Sequence, residues 1–191
     1  ERVLAGEVGP SVAQSLKEHG VNAVAISGRT SGTLVAEPLT TLVDGTPADL
    51  GLVGVVTSVD TRALNELVSA GKVPVISPIA THENGSVGYN VNADLAAAAI
   101  AGALDAQWLI IMTDVEGIYK NWPDKSSLIS SICAEELESL KATFAEGMAP
   151  KVQACLDAIE AGAKAVRIID GTNPSALKDA LLGVGGTLVV A

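Results

Sequence analysis

The segment YNVNADLAAAAI, residues 89–100, sets Asn90, Asn92 and Asp94 at alternate positions ahead of an alanine-rich run. In extended backbone, residues two apart share a face, so two carboxamides and a carboxylate would line one side of the chain just before a helix. Asp94 stands where an N-cap belongs, its carboxylate accepting the first unpaired N–H groups of that helix. A cap needs only one such side chain, and turns account for asparagines equally well. A site that orients a carboxylate or amide ligand would use all three.

A second candidate is EGMAPKVQACLDAIEAG, residues 146–162. Pro150 suits a first helical turn, where its missing N–H is no loss. Lys151 then falls in the same turn, where the helix dipole disfavours a cation by about 0.3–1 kcal/mol. A lysine beside unpaired N–H groups forms an anion site suited to a phosphoryl group in transfer. The alternative is a solvated lysine without a role.

The third is TDVEGIYKNWPDKSS, residues 113–127, directly after an apolar strand. Ligands of open parallel sheets bind beyond the carboxyl ends of strands, which places Asp114 and the loop after it in the right zone. Tyr119 and Trp122 offer apolar surface for a base, or pack the loop. Two other signals fail. SGRTSG (27–32) is glycine-rich but lacks the spacing of either phosphate-binding fingerprint, and His19 and His82 stand in no Cys/His cluster with metal-ligand spacing.

The elements that must position these residues alternate as βα units. A helix is expected over about 11–18, then strand 21–27. The stretch 33–59 carries period-two runs around an Asp44-Gly45 hairpin signal. Helix 61–72 and strand 73–80 follow, the latter apolar on both faces as a central parallel strand should be. Asn84-Gly85 marks a turn, and the helix after Asp94 leads to strand 108–113. Helices beginning near Ala134 and Pro150, strand 165–170, helix 173–182 and strand 186–191 complete the chain. One α/β domain is expected, with no repeat, low-complexity tract or linker.

The chain has 191 residues, enough for one sizeable core, and is 48% hydrophobic, which excludes a disordered chain. Only 3% are aromatic, so that core must be aliphatic. Twelve basic and 22 acidic residues give a net charge of −10, which argues against nucleic acid or an anionic membrane as partner. Cys133 and Cys155 make no disulfide framework and suggest a reducing, cytoplasmic compartment. The longest run without a polar residue, 95–104, falls short of the ~18 residues of a membrane span. No signal peptide is apparent. A chain opening on Glu1 rather than Met reads as a fragment.

Taken together, NVNAD (90–94), MTDVEGIY (112–119) and GMAPK (147–151) resemble the amino acid kinase family, in family order. DLGLVG (49–54), AGKVPVIS (70–77) and GGTLVV (185–190) also match, and NWPDKSSLIS (121–130) resembles the actinobacterial type. The resemblance implies a three-layer αβα sandwich with an open, mainly parallel sheet. About 1–90 would be the remainder of an acetylglutamate-binding lobe and about 91–191 a nucleotide-binding lobe. It further implies transfer of the ATP γ-phosphoryl to the side-chain carboxylate of N-acetyl-L-glutamate, a step of arginine biosynthesis. NVNAD is what sets this acceptor apart, since relatives acting on uridylate, aspartate, glutamate or carbamate differ there. By family roles, Asn90 binds the acceptor, Asp94 orients catalytic lysines and Lys151 stabilises the transferring phosphoryl. Asp114, Val115, Glu116, Gly117, Ile118 and Tyr119, with Thr143, Phe144, Ala145 and Met148, would contact the nucleotide. Mg²⁺ would be held mainly through ATP phosphates, with no protein metal site, and a homo-oligomer, dimer or hexamer, is implied.

Departures stand beside the resemblance. A Lys-x-Gly-Gly strand, a phosphate-cradling glycine loop and a substrate-gripping arginine belong to the family's opening lobe, and nothing in residues 1–40 replaces them. The expectation is that these 191 residues alone do not turn over. The alternatives are a non-catalytic binding remnant of the fold and a sibling such as a glutamate 5-kinase. Val55 and Asp105 depart from the family pattern without an assigned consequence.

Overall fold

The computed structural model describes residues 1–42, 45–144 and 148–191. They form two compact units, Glu1–Ala96 and Ala97–Ala191.

In the first unit a π-helical turn, Leu4–Val8, runs into α1 (Gly9–Glu18), with Pro10 in its first turn. β1 (Ala23–Ser27), β2 (Leu34–Pro38), β3 (Val53–Val59), α2 (Arg62–Ser69), β4 (Val73–Ser77), β5 (Ile79–Thr81) and β6 (Gly88–Val91) follow. β1 and β4 pair in parallel from Ala23↔Val73 to Ser27↔Ser77. The single strand expected over 73–80 is in fact two. Pro78 has no N–H to give a ladder, and the chain changes sheet there: β5 pairs with β6 antiparallel and with β2 in parallel. β3 closes the set, antiparallel to β2 and parallel to β6, in a four-stranded ring β2–β3–β6–β5. Beyond the β2 and β3 arms, Thr41 and Pro47 form an antiparallel bridge, as the hairpin signal implied; Asp44 lies outside the described residues. Leu34, Ala36, Leu64, Ile79 and Val91 are buried in this unit.

α3 (Ala93–Ala103) carries the chain into the second unit. There β7 (Leu109–Thr113), β8 (Ser131–Cys133), α4 (Ala134–Leu140), α5 (Ala149–Glu160), β9 (Ala165–Asp170), α6 (Ala176–Leu181) and β10 (Thr187–Val190) follow. The sheet order is β7–β9–β10–β8. β7 and β9 are parallel, β10 runs against β9, and β8 is parallel to β10. β8 was not expected from sequence: three residues leave no periodicity to read. β9 is buried from Ala165 to Ile169, as befits an inner strand, and packs in an aliphatic core with Ile111, Ile118, Leu137, Val152 and Val189. Strand pairing across the chain is mainly parallel and the class is α/β.

Candidate active site

In the first unit the three polar residues of NVNAD sit at the end of β6 and the start of α3. Asn90 is in register with Ile79 and Val53 on its two flanking strands, and its N–H bonds the Leu52 carbonyl at 2.8 Å. Its side chain is exposed, as is that of Asn92, while Tyr89 and Val91 turn inward. The close pairing depends on Gly54, where a Cβ would lie 2.7 Å from Tyr89 Cβ and 2.9 Å from the Glu37 carbonyl. The expected cap is corrected here. Asn92 Oδ1 accepts the N–H groups of Asp94 at 2.9 Å and Leu95 at 3.1 Å, so Asn92 caps α3 and Asp94 belongs to its first turn. A carboxylate there is favoured by the helix dipole, and Asp94 is half-buried.

In the second unit a cleft of about 940 Å³ opens beyond the carboxyl end of β7. Thr113, Asp114, Val115 and Tyr119 form one stretch of its lining, Lys120, Asn121 and Trp122 continue it, and Thr143, Phe144, Met148 and Lys151 complete it. Glu116, Gly117 and Ile118 do not line it. Glu116 accepts the Tyr119 hydroxyl at 3.0 Å. Burial first, and this hydrogen bond second, push the Tyr119 phenol above its ordinary pKa, so it stays protonated at neutral pH. Ala145 lies outside the described residues.

Ile118 is fully buried and ties the loop to the sheet through one side chain that sequence reading passed over. Thr187 Oγ1 accepts the Ile118 N–H at 2.8 Å and donates to the Ile129 carbonyl at 2.6 Å. The Ile129 N–H returns to the Ile118 carbonyl at 2.8 Å, which closes the knot. Gly117 is needed beside it: a Cβ there would meet Thr187 Oγ1 at 2.5 Å.

Lys151 is half-buried in the first turn of α5, after Pro150. The backbone contributes less to an anion site than sequence implied. Pro150 has no N–H, and that of Lys151 bonds the Met148 carbonyl at 3.0 Å. Positions 150 and 151 therefore add no free backbone N–H beside the Lys151 ammonium. At the other strand end, Asp170 accepts the Thr172 hydroxyl at 2.6 Å and its N–H at 2.8 Å, which hold its carboxyl below the ordinary range. Among the described residues no group of three or more His, Cys, Asp or Glu side chains is placed to hold a metal, and no helix is long and apolar enough to cross a membrane.

In SGRTSG, Ser27 Oγ accepts the N–H groups of Arg29 at 3.1 Å and Thr30 at 3.3 Å, so this loop closes on itself instead of offering those amides to a phosphate.

A mainly parallel α/β chain with a lysine-bearing cleft beyond a strand's carboxyl end has the arrangement in which α/β proteins with open parallel sheets bind their ligands. The amino acid kinase family matches residues 1–170, and the chain belongs to it. It is 46% identical over 184 residues to the acetylglutamate kinase of Corynebacterium urealyticum, covering 96% of this chain and 60% of that protein. To the acetylglutamate kinase of Nocardia farcinica it is 47% identical over 189 residues, covering 98% and 62%. The chain thus spans about 60% of the length of the curated relatives it matches. Among solved structures, smu.665 from Streptococcus mutans UA159 superposes with a TM-score of 0.78 at 26% identity, over 100% of this chain and 69% of that one.

Proposed function

We propose that the protein transfers the γ-phosphoryl of ATP to the side-chain carboxylate of N-acetyl-L-glutamate, giving an acyl phosphate and ADP in arginine biosynthesis. The observation that carries this is the cleft beyond β7 with the Lys151 ammonium in its wall. At about 940 Å³ it lies at the upper end of small-molecule sites and is roomy enough for a nucleoside triphosphate. The names of the relatives, acetylglutamate kinases at 43–47% identity, supply the acceptor.

ATP supplies the reactive phosphoryl group, with Mg²⁺ carried on its phosphates. The protein's part is positioning and charge neutralisation. Lys151 offsets negative charge on the phosphate oxygens. Asp114, Val115, Tyr119, Thr143, Phe144 and Met148 receive the nucleotide. Asn90 donates its carboxamide N–H to the acceptor, and Asp94 is the carboxylate that keeps cationic groups aligned on the transferred phosphoryl. The same reading makes the protein a cytoplasmic homo-oligomer, which light scattering after size exclusion checks.

The test is a chimera that joins this chain to the portion of the Corynebacterium urealyticum enzyme it does not cover. Coupled ADP release is measured with acetylglutamate, glutamate and aspartate, and the product is trapped as hydroxamate. Release with acetylglutamate alone is the expected result. Release with glutamate in preference would transfer the protein to the glutamate 5-kinase reading.

A further inference from the structure

We propose that Trp122 is the stacking platform for the base of the bound nucleotide and selects a purine. This rests on the nucleotide reading of the cleft and adds which residue the base meets. Trp122 lies in NWPDKSSLIS, a segment of the family likeness, but is not among the residues that likeness implies for nucleotide contact.

Trp122 is 57% exposed, in a chain only 3% aromatic. Most of an indole is left in water at a cleft wall, where a polar residue would serve the loop equally well. One neighbour braces the ring. It packs edge-on against Tyr119, with ring centroids 5.1 Å apart and planes at 62°. Tyr119 is itself buried, bonded through its hydroxyl to Glu116 and bridged through its backbone to Leu128. The loop around Trp122 is closed by Lys120 N–H to the Ser127 carbonyl at 2.9 Å, Asn121 N–H to Ser127 Oγ at 3.0 Å and Asp124 N–H to the Asn121 carbonyl at 2.8 Å.

An exposed aromatic braced by a buried neighbour, on a loop closed by its own hydrogen bonds, loses less conformational freedom when a base stacks on it. An indole face accepts any base, but the two fused rings of a purine overlap it over more area than one pyrimidine ring. Lys151 in the same cleft provides for the phosphate end.

The experiment uses the whole 191-residue chain with Trp108→Phe. Trp108 is the other tryptophan; the Arg167 guanidinium lies over its ring, 5.6 Å from the centroid, and it does not line the cleft, so Trp122 becomes the sole tryptophan reporter. ATP, CTP and tripolyphosphate are titrated by fluorescence and by calorimetry. ATP is expected to quench Trp122 and to bind more tightly than CTP. Trp122→Ala should weaken ATP roughly tenfold, within the range of one base–aromatic stack, and leave tripolyphosphate unchanged. Trp122→Phe should keep most of the ATP affinity and guards against a misfolded alanine variant. Unchanged ATP affinity in Trp122→Ala, or equal losses for ATP and tripolyphosphate, overturns the stacking assignment alone. If the unsubstituted chain binds none of the three ligands, the nucleotide reading itself falls and takes the platform with it.

Discussion

Asn92 Oδ1 holds the backbone N–H of Asp94 at 2.9 Å, so the residue two places before the carboxylate is the one that starts the helix. Scaffold and chemistry are thereby divided between neighbours in NVNAD. Asn92→Ala should lower stability by about 1 kcal/mol, the usual loss of a side-chain cap. Asp94→Asn keeps the side-chain volume and leaves the Asn92 cap in place, yet should sharply cut turnover in the chimera. Thermal melts and ADP release on the two variants separate the roles. Turnover that survives Asp94→Asn would remove Asp94 from the reaction.

Thr187 makes a second division visible. Thr187→Val keeps the volume but leaves the Ile118 N–H and Ile129 carbonyl without their hydrogen-bond partner. Each such loss costs roughly 1–3 kcal/mol in a buried setting. Melting should fall by several degrees, and the Ile118 amide should exchange with solvent faster. Thr187→Ser, which retains the oxygen, should recover most of both. Equal exchange rates in Thr187→Val and the parent chain would show that the loop is held by packing instead.

Asp105 accounts for a departure that the sequence left unexplained. α3 ends with Ala106 N–H on the Ala101 carbonyl at 2.9 Å and Asp105 N–H on the Gly102 carbonyl at 3.0 Å. This is a Schellman closure, and it places Asp105 at φ +52°, the only non-glycine residue with positive φ among the described residues. Glycine takes that conformation without the Cβ penalty. Asp105→Gly should stabilise the chain by about 0.5–1 kcal/mol in thermal or urea melts. A lower melting point would contradict the strain assignment.

Asp60 carries the clearest acid-side signature. The Arg62 side chain lies 2.5 Å from its carboxylate, and this hydrogen bond first, then the Arg62 backbone N–H, lower its pKa from 3.8 to about 2. A depressed carboxyl stabilises the fold above its unfolded pKa, and the gain is lost as pH falls through the folded value. The window is therefore pH 4 down to about 2. The pair is exposed, so the effect is small and screened by salt. In a carbon-13 titration Asp60 should read near 2 and return toward 3.8 in Arg62→Ala; a value unmoved by that substitution would rule out the pairing.

Much of this was legible because it is local. Periodicity points to β7, β9 and α5, and Gly71 within the expected helix 61–72 marks the end of α2, since apolar spacing and a positive-φ stop are written in consecutive residues. Pro78 was the readable signal that 73–80 breaks, but both pieces are apolar, so the break disappeared into one hydrophobic run. The cap assignment failed because Asn and Asp are equally good caps, and only the backbone decides which of two polar residues stands at the boundary. Thr187 was invisible for another reason: its partners are 58 and 69 positions away, and no spacing rule spans that distance. Trp122 reads in the sequence as a base surface or as loop packing, because an exposed ring and a covered one share the same local sequence.

Every residue that lines the cleft, from Thr113 to Lys151, belongs to the second unit. Ligand binding raises the free energy of unfolding of whatever it binds by RT ln(1 + [L]/Kd). A nucleotide is thus a probe of cooperativity as well as of affinity. If residues 1–96 and 97–191 melt as one, ATP lifts a single calorimetric peak; if they melt separately, it lifts one peak and leaves the other where it was.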